Sequence, residues 1–170
     1  MTIYYGTGAV AFPKNPGFTV GKKMRVVNFK ETAPTTGADG DQYILAGPIS
    51  LDSRIARIYS QRLPALTTAT NANLGFYYKK ADGTFAVVKA SGGNELWSGV
   101  SLASAVTTFL DVLTNKNTSL DNTKTIRSLL SIGPDQEPAG GVFLVLTLPT
   151  ANTAGGVMDM DVVIEEPTAQ

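Results

Sequence analysis

Gln42-Tyr43-Ile44-Leu45-Ala46, Ile55-Ala56-Arg57-Ile58-Tyr59 and Leu74-Gly75-Phe76-Tyr77-Tyr78 are three short apolar runs within one stretch, Asp41 to Lys89, separated by turn-rich polar connections. Runs of this length, bounded by Pro, Gly, Asn and Thr, read as strands of packed sheets. Neither the stretch nor the rest of the chain contains a histidine or a cysteine. Most catalytic and metal sites are built from imidazoles and thiols, so the chain reads as a scaffold that holds surfaces together.

Outward from this stretch the same pattern continues. Met24 to Phe29 reads as a strand, followed by a loop from Glu31 to Asp39. Ser53 to Leu63 alternates imperfectly, with Arg54, Arg57 and Arg62 interrupting Ile55, Ile58 and Leu63. That pattern suits a strand with one solvent face and a bulge, and it puts the three arginines on an exposed or interfacial edge. Ala81-Asp82-Gly83 is a hairpin turn joining Leu74–Lys80 to the returning strand Thr84–Ala90. Between Leu96 and Asn115, Leu102, Ala105, Val106, Phe109, Leu110 and Leu113 recur at helical steps, which predicts a helix capped by Ser98 or Ser101. The β-branched residues there would equally tolerate a strand. A short helical turn is expected at Lys124–Ser131, capped by Asp121 or Thr123. Val142 to Leu148, bounded by glycines and Pro149, suits a strand buried on both faces, and Val157 to Ile164 alternates as a last strand. The sum is an all-β, mainly antiparallel chain, a jelly-roll-like β-sandwich with one or two short helices.

Residues 1–23 read differently, as an extended arm preceding a sandwich domain over residues 24–170. Pro13, Pro16 and four glycines forbid a long helix or central strand, yet Tyr4, Tyr5, Phe12 and Phe18 are too apolar for a solvated tail. Either the body of the same domain or a neighbouring subunit must cover them.

A chain of 170 residues can form one domain without a metal or disulfide. Its 16% charged residues lie well below the usual quarter, leaving a surface of Thr, Ser, Asn, Gln and Gly that a partner covers at little desolvation cost. The net charge of zero hides an asymmetry: residues 1–90 carry eleven Lys/Arg against five Asp/Glu, and residues 91–170 three against nine. Such a split can serve contacts between copies, or vanish when strands of both halves interleave in one sandwich. Neither half has the dense basic cluster of a nucleic-acid footprint. The N-terminus lacks the pattern of a secretory signal, and no run is apolar enough to span a bilayer, so neither nucleic acid nor membrane is expected as a partner.

No motif for chemistry survives inspection. Gly6-Thr7-Gly8 imitates a dinucleotide turn, but Pro13 and Pro16 prevent the helix that must follow. Asp39 and Asp41 look like a turn entering a strand. Asp159 and Asp161 alternate with Met158 and Met160, as on any half-buried strand. Serines lack a base, so no enzymatic activity and no cofactor is expected. Trp97 is the sole tryptophan and reads as a core residue or, more sharply, an exposed interface anchor. The candidate protein–protein contacts are thus Tyr4, Tyr5, Phe12, Phe18, Arg54, Arg57, Arg62 and Trp97.

The order of landmarks from Gly40 to Ile164 resembles the capsid decoration, cement and auxiliary head proteins of tailed bacteriophages. It is carried by Gly40-Asp41-Gln42-Tyr43-Ile44-Leu45, the Ser53–Leu63 strand, the Thr67–Asn73 linker and Leu74-Gly75-Phe76-Tyr77. Ile126 to Asp135 then resembles the short turn before their last two strands, here Val142–Leu148 and Val157–Ile164. The resemblance implies a virion protein assembled in the bacterial host cytoplasm. It would bind the outer surface of the major capsid protein shell as a homo-oligomer, dimer or trimer, and clamp neighbouring capsid proteins. A carbohydrate-binding β-sandwich on a fibre, tail or secreted protein is the alternative, with Tyr4, Tyr5, Tyr77, Tyr78 and Trp97 as its aromatics. A neck or tail structural protein is another.

Overall fold

The computed structural model describes Met1 and residues 3–5, 23–69, 71–90 and 92–167. The chain forms strands β1 (Ile3–Tyr5), β2 (Lys23–Ala33), β3 (Asp41–Ile49), β4 (Arg54–Arg62), β5 (Ala72–Lys79), β6 (Phe85–Val87), β7 (Trp97–Val100) and β8 (Leu110–Asp111). Helices α1 (Val112–Lys116) and α2 (Ile126–Leu130) follow, then a 3-10 turn at Pro134–Gln136, β9 (Val142–Leu148) and β10 (Gly156–Glu166). Two sheets result. One runs β1-β3-β9-β5-β6 with β7 also on β5; the other runs β2-β10-β4-β8. All pairings are antiparallel except β1 on β3.

Period-two alternation explains how the sheets stack. Met158, Met160, Val162 and Ile164 of β10 and Val142, Leu144, Leu146 and Leu148 of β9 face each other across one core, together with Phe29, Tyr43, Ile58, Leu74 and Phe76. The methionines and aspartates of β10 therefore part as expected, with the methionines inside. The expected bulge in the Arg54–Arg62 strand is present: register slips between the Asp159–Arg62 and Met160–Ser60 pairs.

Two expectations fail. No long helix fills Leu96–Asn115. Leu96 donates its N–H to the Leu74 carbonyl at 2.9 Å, Trp97 to Val100 join β5 as β7, and only the last turn becomes helical. Pairing with an open strand edge outweighs a helical period that Val100, Val106, Thr107 and Thr108 support poorly. Asp111, not a serine, caps that turn by accepting from Leu113 N–H at 3.2 Å. The cap of α2 is likewise Thr125, whose hydroxyl accepts from Ser128 N–H at 3.3 Å, while Asp121 closes its own turn with Thr123.

The hairpin lies where the sequence puts it. Gly83 adopts φ +85°, a left-handed value that a side chain would strain, and Lys80 N–H reaches the Thr84 carbonyl at 2.8 Å.

Candidate protein–protein interface

The outer face of the four-stranded sheet is a ladder of four rows read across β2, β10 and β4. They are Met24–Glu165–Arg54, Val26–Val163–Arg57, Asn28–Asp161–Tyr59 and Lys30–Asp159–Arg62, with Asp111 of β8 beside Tyr59. The acidic strand β10, from the second half of the sequence, thus lies between two basic strands from the first half. Lys23 and Arg25 reach Glu166 at 3.7 and 2.9 Å, Lys30 reaches Asp159 at 3.3 Å, and Arg54 pairs with the buried Glu165. Interleaving of the two halves therefore absorbs much of the sequence's charge asymmetry within one sheet. Asn28 donates from one amide nitrogen to both Asp159 (3.0 Å) and Asp161 (2.9 Å), and Gln61 donates to Asp161 at 2.9 Å. Two neighbouring carboxylates on one strand face are thus held together by one shared donor, the Asn28 amide.

The three arginines share this face but not their surroundings. Arg54 is three-quarters buried and also donates to the Asn122 carbonyl at 3.4 Å. Arg57 is 53% exposed and bridges to Asp111 Oδ2 at 3.0 Å, the carboxylate that caps α1. Arg62 is exposed, and none of the described carboxylates engages it. Beside them stands a pair that sequence reasoning did not assign to a surface: Phe109, 61% exposed, stacks on Tyr59 with centroids 4.7 Å apart and planes 16° from parallel. Helical spacing had placed Phe109 on a helix face. The signal available was its place at the end of an uncharged run, Ser101 to Leu110.

Trp97 belongs to the core. It is 1% exposed, and its indole N–H donates to the Leu113 carbonyl at 3.4 Å, so packing within its own chain is the role the structure gives it. Tyr4 and Tyr5 sit on β1 in register with Tyr43 and Ile44. Phe12 and Phe18 lie outside the described residues.

The outer face of the other sheet carries a second, smaller apolar cluster of Ile44, Tyr77, Phe85 and Val145, with Ile3, Val87 and Phe143 against it. Tyr77 shares a hydrogen bond with the Thr147 hydroxyl at 3.0 Å, and its phenol is raised above the ordinary tyrosine value chiefly by burial. Phe85 meets Phe143 edge-on at 5.0 Å. Between β6 and β7 the ladder on β5 is broken, and the Glu95 carboxylate fills the gap. It accepts from Phe76 N–H at 3.0 Å and from Gly93 N–H at 2.9 Å. Gly75 is indispensable beneath it, because a Cβ there would lie 2.3 Å from the Gly93 carbonyl carbon.

An open groove of about 480 Å³ lies between the β5–β6 hairpin and the 3-10 turn, lined by Tyr78, Lys79, Lys80, Val88, Gln136 and Pro138 among others. Among the described residues no three acidic side chains are placed to hold a metal ion, and no helix is long and apolar enough to cross a membrane.

No protein-family model and no curated protein matches the chain. Among solved structures, a chain of the capsid of Ralstonia phage GP4 superposes with a TM-score of 0.56. The match spans 99% of this chain and 100% of that one at 14% identity, so what the two share is a fold.

Proposed function

We propose that this chain is a non-enzymatic virion structural protein that binds the outer surface of a phage capsid and stabilises the lattice by clamping neighbouring major capsid proteins. The observation that carries the reading is the end-to-end likeness to a phage capsid chain, with neither protein leaving a domain uncovered. The order of landmarks from Gly40 to Ile164 supports it independently. We read the strand order as a jelly roll, since β2-β10-β4-β8 opposes β3-β9-β5-β6 and the chain passes from sheet to sheet at each step from β2 to β5.

Clamping is a linkage effect. A protein that binds the assembled lattice and not the free subunits stabilises that lattice in proportion to occupancy, by about 2.7 kcal/mol per site at a hundredfold excess over Kd. The sparsely charged surface suits this, because a Thr-, Ser- and Asn-rich face is covered at little cost. The N-terminal arm, residues 1–23, is the grip in this reading, and the major capsid protein and further copies of the chain are its partners. The carbohydrate alternative loses its platform: Trp97 and Tyr77 are 1% and 7% exposed and lie in different clusters.

Co-sedimentation with purified heads of a phage that encodes the chain tests the proposal. Micromolar protein is expected to pellet with expanded heads and to raise the temperature at which they disrupt. A chain lacking residues 2–22 is expected to stay in the supernatant while still melting cooperatively, at a temperature lowered by the loss of β1 from the edge of β3. If the full chain remains in the supernatant, or pellets only with tails, the capsid reading is wrong.

A further inference from the structure

We propose that the outer face of the four-stranded sheet is a two-fold interface between two copies of this chain. In it the acidic strand β10 of each copy lies over the basic strand β4 of the other, and the stacked Tyr59–Phe109 pair is the aromatic contact that meets the other copy's Lys30. The inference names the surface by which copies of the chain would meet, which the capsid reading does not specify, and it holds or fails without reference to a capsid.

The geometry follows from the order of strands. Strands β10 and β4 are neighbours, and on the outer face one presents Asp159 and Asp161 while the other presents Arg57, Tyr59 and Arg62. A two-fold axis parallel to the strands and midway between them exchanges β10 with β4 and leaves each row at its own level. Asp159 of one copy then faces Arg62 of the other, Asp161 faces Tyr59, and the Lys30 ammonium approaches Phe109. The last contact is an ammonium against an aromatic face. Two sheets packed in this way keep their strands nearly aligned, as in any sandwich. A face with both signs in adjacent strands is self-complementary, whereas a face of one sign would repel its copy.

Three observations single out this face. Arg62 is an exposed cation that none of the described carboxylates engages, held outward by the bulge at Gln61. Phe109, Met24 and Met1 are the large hydrophobics exposed among the described residues, and Phe109 stands on this face. The aromatic contact is also pre-ordered: Phe109 is stacked on Tyr59, and Arg57 is fixed by Asp111, itself locked by its bonds to Leu113 N–H and the Thr114 hydroxyl. Rigid aromatics beside arginine, with little rotamer freedom left to lose, are what interface hot spots are made of.

Sedimentation equilibrium of the full chain tests this. The wild-type protein is expected to be dimeric at tens of micromolar. Because every contact occurs twice, Phe109→Lys, which sets a cation against the Lys30 ammonium of the other copy, should weaken the dimer by roughly a hundredfold or more, and Arg62→Glu by about tenfold to a hundredfold. Both positions are exposed, so circular dichroism of the variants should match the parent, and Phe109→Ala provides a milder variant if the lysine disturbs folding. The decisive arm mixes Arg62→Glu protein with Asp159→Lys protein. Each alone should be weakened, and the equimolar mixture should regain a dimer, because both of its crossings then pair opposite charges. A wild-type monomer at 100 µM, on the order of a very weak interface, would overturn the proposal. So would a dimer indifferent to Phe109→Lys and Arg62→Glu, or a mixture no tighter than its components.

Discussion

Ser131 ends α2 in the left-handed conformation, φ 52° and ψ 47°, where an L side chain crowds the following carbonyl. That conformation costs a non-glycine residue about 1–2 kcal/mol, and glycine's greater freedom in the unfolded chain offsets about half of the relief. Ser131→Gly is therefore expected to stabilise the protein by ~0.5 kcal/mol, seen as a thermal midpoint raised by about 1–2 °C; Ser131→Val should lower it. A second residue-scale effect concerns acid. The Arg127 guanidinium donates to Asp52 at 2.7 Å and to Glu137 at 2.9 Å, and it holds the Asp52 carboxyl below its ordinary value of 3.8. Hydrogen bonds from Thr84 and Thr123 act likewise on Asp82 and Asp121. Each carboxylate binds its proton less readily folded than unfolded. Its contribution is therefore present above the unfolded value and lost as pH falls through the lower folded one. With no histidine in the chain, urea midpoints should change little from pH 6 to 8 and fall below about pH 4. Asp52→Asn should flatten part of that fall, modestly because the pair is exposed.

At the scale of elements, the broken edge of β5 is where one side chain replaces a stretch of strand. Removing the Glu95 carboxylate takes the partner from Phe76 N–H, and Glu95→Ala is expected to cost about 1–3 kcal/mol in denaturant melts. Gly75→Ala should cost at least as much, because the clash is with the backbone of Gly93 and Asn94, which cannot rotate aside. Neither effect was legible beforehand, since a half-buried glutamate and a glycine in a strand carry no local signal of facing each other across twenty residues. The strands themselves were legible wherever alternation or turn chemistry was strong: β4 with its bulge, the Asp82–Gly83 hairpin, the continuous apolar run of β9. Leu96–Asn115 misled because its spacing is helical while its partner is an open strand edge distant in sequence. Phe109 was misassigned for that reason, and with it the aromatic pair that marks the four-stranded sheet's outer face. The arginines of β4 were placed on an exposed or interfacial edge from sequence. That only Arg62 among them lacks an engaging described carboxylate required knowing that β10 lies alongside.

For the whole molecule, the strand order binds the two halves of the sequence together. Strands β2 to β6 come from the first ninety residues; β9 and β10, the last strands, sit centrally between β3 and β5 and between β2 and β4. Neither half contains a central strand together with both of its neighbours. Fragments 1–90 and 91–170, of opposite net charge, are accordingly expected to be unfolded alone and to regain β-sheet circular dichroism when mixed. Their association rate should fall as salt is added, because the attraction that brings them together is long-ranged and screened. Two folded fragments that ignore each other would contradict this account.

The late position of both central strands also bears on how a ribosome delivers the chain. Until Val142 to Glu166 have been made, β3 and β5 have no strand between them, and neither do β2 and β4. Each then carries backbone donors and acceptors that only the last two strands satisfy, beside apolar faces that only they cover. Folding during synthesis has little to build on before then, and the sandwich is most aggregation-prone until those two strands emerge. Soluble yield in a producing cell is accordingly expected to rise when synthesis is slowed or the temperature lowered, because the two middle strands of the sandwich follow their neighbours in the sequence.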